Sequence, residues 1–424
     1  MFGQMKTRIL LLVTALWVTS GIVLTFSAAS AQSGRVGQPP AQTTSPAIPV
    51  TSPELPVAKT RRIGDSSGDK YKLVFPTIRE GSLRVKFSEI EAETHSRNIG
   101  FIEELNKVGA LGYRLTSAMD LQPVGIVQFD ESLYEYSWFE TRSDLSFATS
   151  DFDEKYTALG RLGFRLVEKL CGFSHTWTDT HSGLDNSETT EFFVVEKERG
   201  TQREAQHMFV SSAPRWRGNP SAEMSTQINE KLSAGYYPTK AFSKYEIVLE
   251  QLKERGDAAD NPQVLVVRSK WRNDVEKKTN ESAQQGYRLA LVSYGIAVMY
   301  RHPDATTAVS YVWLDAKKKD FDKQLGRLQA SGAVYRMTYP NRDGKEDKLI
   351  FERKAVDDGM RREYKVLKFE FEEVIDSADN KVHIDLTSLS KETVKLMNNL
   401  VREGFEVRDL FLSDKVSVLL ERSR

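Results

Sequence analysis

Apolar positions return along this chain at fixed distances from a glycine. Phe101, Leu105 and Val108 stand eleven, seven and four residues before Gly112. The same offsets give Phe152, Tyr156 and Leu159 before Gly163, and Phe321, Leu325 and Leu328 before Gly332. Steps of four and three place such residues on one face of a helix. Before Gly235, Met224 and Ile228 keep register and Leu232 stands one place late; before Gly404, Met397 and Leu400 keep register and Val394 is shifted by one. The copy before Gly286 is poor, with Val275, Thr279 and Ser282, and Ala283 beside them. Each glycine is expected where a helix ends, because it adopts a left-handed conformation at low cost.

Beyond each glycine the period changes to two. Tyr113-Arg114-Leu115, Phe164-Arg165-Leu166, Tyr287-Arg288-Leu289 and Phe405-Glu406-Val407 alternate an apolar face with a charged one, so the charge is expected to face solvent. The third copy reads Tyr236-Tyr237-Pro238, and Pro238 should end that strand early or put it on a sheet edge. In the fifth copy Ala333 follows the glycine, and Tyr335-Arg336-Met337 takes up the pattern two residues late.

A second β-rich run follows each phrase: 125–129, 191–197, 245–251, 295–301, 348–354 and 416–422. Another precedes each helix: 71–75, 134–139, 207–211, 264–270, 308–314 and 364–371. The fold class this predicts is α+β: tandem β-α-β-β modules, each one helix packed on a small, mainly antiparallel three-stranded sheet. The glycines are spaced by 51, 72, 51, 46 and 72 residues, which hides the repeat from a fixed-period search. The expected modules are 63–133, 134–200, 201–256, 257–303, 304–357 and 358–424. A unit of this size is marginal alone, so the modules should associate as pairs or as a curved row.

The last module carries "REYKVLKFEF", a helix with "LMNNLVREGFEV", and then "VSVLLERS". These stretches resemble a small bacterial β-α-β-β domain family of unknown function, whose members read Tyr-Lys-Val-Val, a leucine-rich helix, Gly-Trp-Glu-Leu and a final strand ending in basic residues. Phe405 stands in place of the tryptophan. The resemblance covers 362–424 best and extends more weakly to about six divergent copies. It implies a fold and brings no catalytic residue.

The N-terminus changes the picture of where the protein works. Lys6 and Arg8 precede an apolar run from Ile9 to Phe26, then Ala29-Ser30-Ala31 before Gln32. This is the layout of a secretory signal peptide over 1–31; an uncleaved membrane anchor is the other reading. Residues 32–62 hold six prolines among Gln, Thr, Ser and Ala and are expected to form a disordered tether. The expected location is the bacterial envelope, periplasmic or extracellular. The single cysteine, Cys171, cannot form an internal disulfide and is expected to be buried in its apolar context. Lys and Arg number 59, as do Asp and Glu, which gives no basic surplus for a nucleic-acid partner.

Candidate chemistry is sparse. His175, Asp179, His181 and Asp185 share one stretch, expected as a loop in the second module, and are divalent-metal ligands by type at a spacing that matches no specific motif. A solvated polar hairpin is the plainer reading. No G-x-S-x-G, H-E-x-x-H, C-x-x-C or phosphate-cradling glycine loop occurs. Trp216 between Arg215 and Arg217 could stack on a ligand or anchor a loop. These observations lead to an exported, non-enzymatic scaffold or binding module for an envelope protein or polymer, with no cofactor and no bound metal. The alternatives are a small-molecule or glycan binder using grooves lined by Tyr113, Phe164, Tyr236, Tyr287 and Phe405, and last a metal-dependent hydrolase centred on His175 and His181.

Overall fold

The computed structural model describes residues 69–74, 87–119, 124–144, 150–178, 185–201, 206–211, 220–243, 246–251, 263–269, 272–293, 295–301, 308–340, 347–354, 359–369, 372–376, 381–385, 391–413 and 415–423. At 87–94, 142–144, 150–151, 171–178, 185–189, 206–211, 372–376, 381–385 and a few element ends only the backbone is described. Module 1 holds β1 (Tyr71–Val74), α1 (Phe87–Gly109), β2 (Tyr113–Ala118) and β3 (Gly125–Phe129). Module 2 holds β4 (Tyr134–Asp144), α2 (Ser150–Arg161), β5 (Arg165–Thr178) and β6 (Asp185–Glu198). Module 3 holds β7 (Gln206–Ser211), α3 (Pro220–Leu232), β8 (Tyr236–Ser243) and β9 (Glu246–Gln251). Module 4 holds β10 (Gln263–Arg268), α4 (Arg272–Gln284), β11 (Tyr287–Ser293) and β12 (Ile296–Arg301). Module 5 holds β13 (Val309–Asp315), α5 (Phe321–Ala330), β14 (Val334–Tyr339) and β15 (Lys348–Lys354). Module 6 holds β16 (Arg362–Lys368), a hairpin of β17 (Glu372–Asp376) and β18 (Lys381–Asp385), α6 (Lys391–Arg402), β19 (Glu406–Leu412) and β20 (Val416–Ser423).

Every module sheet has its third strand in the middle, flanked by the first and the second. Both flanking strands run antiparallel to the middle one, so they run parallel to each other. The six glycines take φ between 66° and 93°, as the helix-ending role requires. Pro238 lies on the edge strand β8, which continues through it to Ser243. The fifth copy is not shifted: Ala333 occupies the place of Tyr113, and Tyr335 the place of Leu115. Residues 372–376 and 381–385 pair as the antiparallel hairpin β17–β18, an addition to the four-element module.

The middle strands are apolar runs because both of their faces are buried. Phe192 and Val194 of β6 enter a core shared with α1 and module 1, while Phe193 and Val195 enter one shared with α2 and module 3. Ile247 and Leu249 of β9 face module 4, and Val248 faces module 2. The same division holds for β12, β15, β20 and β3. Six cores result, and each lies between two modules. Each helix packs on its own sheet and on the first strand of the module that follows. Helix α6 has no following module and packs on β1. The core it shares joins Met397, Leu400 and Phe405 to Tyr71 and Ile126. The second strands approach one another on the inside, β19 meeting β2 at this seam. Residues 69–423 therefore close into a ring, which answers how the far face of each sheet is covered.

Because every core is shared, no module can fold by itself. The fragment 358–424 is expected to give no cooperative thermal transition by circular dichroism. The two ends meet at the module 6–module 1 seam, where Arg402 lies 3.5 Å from Asp69. A circular permutant joined there and opened within 302–307 should retain one sharp transition. A stably folded fragment 358–424 would contradict this architecture.

Candidate functional site

Strand edges carry unpaired backbone groups, which need partners when buried. The first strand is covered by an asparagine of the preceding helix. Asn106 Oδ1 accepts from the Tyr136 amide at 2.8 Å, and its Nδ2 donates to the Tyr136 carbonyl at 2.8 Å. Asn229 holds Val264 in the same way, Asn280 holds Tyr311, and Asn398 holds Tyr71 across the closing seam. All four asparagines stand six residues before the module glycine. Gly326 occupies that place in α5, and Gln329 accepts from the Tyr364 amide instead.

The held tyrosine also covers the second-strand edge of the preceding module. Tyr136 Oη accepts from the Leu115 amide at 2.7 Å, Tyr311 Oη from Leu289 at 2.8 Å and Tyr364 Oη from Tyr335 at 3.0 Å. Tyr71 meets the Val407 amide at the closing seam. Each amide belongs to the third residue after the glycine, just before a bulge that all six second strands share. In module 2 the Leu166 amide reaches Tyr156 of its own helix at 2.8 Å. The third copy lacks both partners: Pro238 has no amide hydrogen, and the residue facing it in module 4 is Val264 rather than tyrosine. The two departures compensate, and the donor and the acceptor are missing together.

Opposite the tyrosines on the middle strands are acids. Glu196, Glu352 and Glu421 pair in register with Tyr136, Tyr311 and Tyr364. Glu250 occupies the same place in β9, and all four acids are buried. Arg114, Arg165 and Arg336 of the repeated phrase reach these acids with one end while two-fifths to a half of each side chain stays open to solvent, so their face meets both water and a buried carboxylate. Arg114 of module 1 bonds Glu196 of module 2, with Nε at 2.9 Å and Nη2 at 2.5 Å, both on Oε1. Arg165 of module 2 bonds Glu250 of module 3 at 2.7 Å. Glu352 takes Arg336 in a two-bond fork, and Glu421 takes Arg362 and Arg408. Burial alone would lower the pKa of Arg114, but its hydrogen bond and charge pairing with Glu196 hold it above the ordinary value. A carboxylate buried without such a partner would be costly.

Near the axis, the second strands meet closely from β8 through β11, β14 and β19 to β2. Between β2, β5 and β8 a cavity of about 190 Å³ takes their place. Its lining includes Arg114, Thr116, Arg165, Glu168, Glu196 and Lys240. Lys240 pairs with Glu168 at 3.2 Å. At the closing seam, Ser117 of β2 donates to Asp409 of β19 at 2.7 Å. The aromatics expected to line grooves are elsewhere: Tyr113, Phe164, Tyr287 and Phe405 are buried in the cores, and Tyr236 is half-buried. A groove walled by these rings is therefore not formed, and the cavity is polar.

His175 and Asp185 lie on strands rather than in a loop, and the register pairs His175 with Glu188 and Asp185 with Thr178. Asp179, His181 and Trp216 lie outside the described residues, as do the side chains of His175, Asp185 and Cys171. Among the described residues no group of three or more His, Cys, Asp or Glu is placed to hold a metal ion. Also among the described residues, no helix is long and apolar enough to cross a membrane. Compared with protein-family models, with curated proteins and with solved structures, the chain matches none.

Two predictions follow from the seams. Pro238→Leu introduces a buried amide with no partner and should cost about 1–3 kcal/mol. Val264→Tyr alone overpacks its seam by a similar amount. Together they rebuild the bond present at the other seams, so a double-mutant cycle in denaturant should give a favourable coupling of about 1 kcal/mol or more. Simple additivity would refute the pairing. The second prediction is alkaline lability. Burial above all raises the pKa of Tyr71, Tyr136 and Tyr364, and pushes Tyr311 up to about 12, from an ordinary 10.0. The folded state thus keeps protons that the unfolded chain releases. The contribution of all four is complete below about pH 10, and that of Tyr311 is lost as pH rises through about 12. The urea midpoint should fall across that window, and a flat midpoint would count against buried phenols.

Proposed function

We propose that this protein is an exported, non-enzymatic scaffold that holds an envelope protein or polymer against one face of its ring. Export rests on the N-terminal pattern of Lys6 and Arg8, the apolar run and Ala29-Ser30-Ala31. The binding face rests on where the modules depart from their repeat. First and second strands are parallel, so the links after them emerge at one end of each sheet. Rotation around the ring puts those ends on one face.

Three departures lie there. Helix α1 has 23 residues, against 10 to 13 in the other five, and its extra turns are at the start that follows β1. Strands β5 and β6 have 14 residues each and run on as a long hairpin. The hairpin β17–β18 follows β16. Modules 6, 1 and 2 are consecutive across the closing seam, so the three elaborations share one face and one half of the ring. The long α1 leans on β4 and β5, with His95 Nδ1 2.6 Å from Glu140 Oε1 and its ring edge-on to Trp138. The opposite face carries the glycine turns that the copies share. A ring braced at every seam supports a partner surface on added segments that leave its cores untouched.

The test uses affinity capture from an envelope fraction. Replacing 372–385 with a short Gly-Ser turn, or closing the β5–β6 hairpin at Phe173 and Thr190, should abolish capture of a specific partner and leave the unfolding midpoint unchanged. Capture retained by both variants, or no specific partner for the parent protein, overturns the proposal.

A further inference from the structure

We infer that the axial cavity between modules 1, 2 and 3 is a binding site for a compact zwitterion, one carrying a carboxylate and an ammonium on neighbouring atoms as an α-amino acid does. The inference is independent of the partner face proposed above. Three modules each contribute a cation: Arg114, Arg165 and Lys240. Their side chains are 42 %, 48 % and 35 % exposed, so each has donors available to an incoming group. Each already faces a carboxylate, Glu196, Glu250 and Glu168 in turn. Glu168 and Glu196 line the cavity with the three cations, and Glu250, outside the lining, pairs Arg165, so a ligand of one sign meets its own charge there as well as the opposite one. A ligand that carries both charges gains at both ends.

One acceptor is left over. Arg114 places both of its bonds on Glu196 Oε1, and the buried Oε2 accepts no hydrogen bond from the described residues. A buried carboxylate oxygen without a donor is costly, and a donor supplied by a ligand removes that cost. The half-exposed Arg114 is the cover that has to shift for an ammonium to reach it. The carboxylate then lies toward Arg165 and Lys240. A cavity of about 190 Å³ admits a small amino acid. The seam aromatics are committed to the cores, so the cavity offers no ring on which a sugar could stack.

Titration calorimetry on the full chain tests this with L-alanine, propionate, propylamine and glycerol. Alanine should bind, and the other three should bind at least about tenfold more weakly, since each lacks one or both charges. Glu196→Gln and Lys240→Met should each weaken alanine about tenfold or more. Thr116→Phe, at an exposed position, should fill the cavity and abolish binding. Lys240 and Thr116 are not core residues, so these two variants remain informative if Glu196→Gln does not fold. The inference is overturned if alanine does not bind, if propionate, propylamine or glycerol binds as well, or if Thr116→Phe or Lys240→Met binds alanine undiminished.

Discussion

The structure depends on a three-stranded sheet that is apolar on both faces and open at both edges. Such a sheet has no stable state alone, because its middle strand would expose one face to water whichever way a single helix packed. The seam tyrosine resolves the edges, and the shared core resolves the faces. Through its backbone, Tyr136 ties β4 to α1; through its hydroxyl, it ties β4 to the bulged β2. One residue thus caps both strand edges at a seam, and its ring fills the core between them.

Closure follows from repeating that seam. If each module needs the next to cover its helix and its bulge amide, a linear row leaves the last module incomplete. Module 1 supplies what module 6 lacks, with Tyr71 offering its backbone to Asn398 and its hydroxyl to Val407. A linear solenoid solves the same problem with capping repeats of polar outer face. Neither end module is built as a cap here: α6 presents Met397 and Leu400, and β3 presents Ile126, all buried in the closing core. This coupling also explains why charge is carried inward. At two seams, Arg114 on Glu196 and Arg165 on Glu250, a cation of one module meets the buried acid of the next, and a slip there would leave the acid unpaired.

Much of this was legible in the chain, and the part that was not has a physical reason. The helix face at Phe101, Leu105, Phe321, Leu325 and Leu328, the six left-handed glycines and the six-module order are local features written in period and residue type. The acids that Arg114 and Arg165 reach were not legible, because alternation assigns a face without saying which neighbour shares it with water. The asparagine six residues before the glycine was present in four copies as a signal, yet it looks like any polar residue on a solvent face. Its role lies in a strand of another module, 327 positions away in the case of Asn398 and Tyr71. The hairpin β17–β18 was hidden because its charges suit an exposed strand as well as a loop. The axial cavity has no local signature, since it exists only where β2, β5 and β8 stand apart.

The exception at Pro238 separates the rule from coincidence. If the tyrosine hydroxyls were fortuitous neighbours of the bulge, a proline at the donor position would have no consequence for the facing strand. Instead the seam that lacks the amide also lacks the hydroxyl, while Asn229 still holds Val264 by both backbone groups. Module 2 argues the same point from the other side, since Leu166 keeps its amide and finds its hydroxyl on α2. A buried edge amide is provided for wherever it exists, and its acceptor is absent where it does not. The seams are therefore governed by the satisfaction of one backbone donor, and the copies remain free to vary where that donor is not at stake, which is the face where α1, β5–β6 and β17–β18 extend.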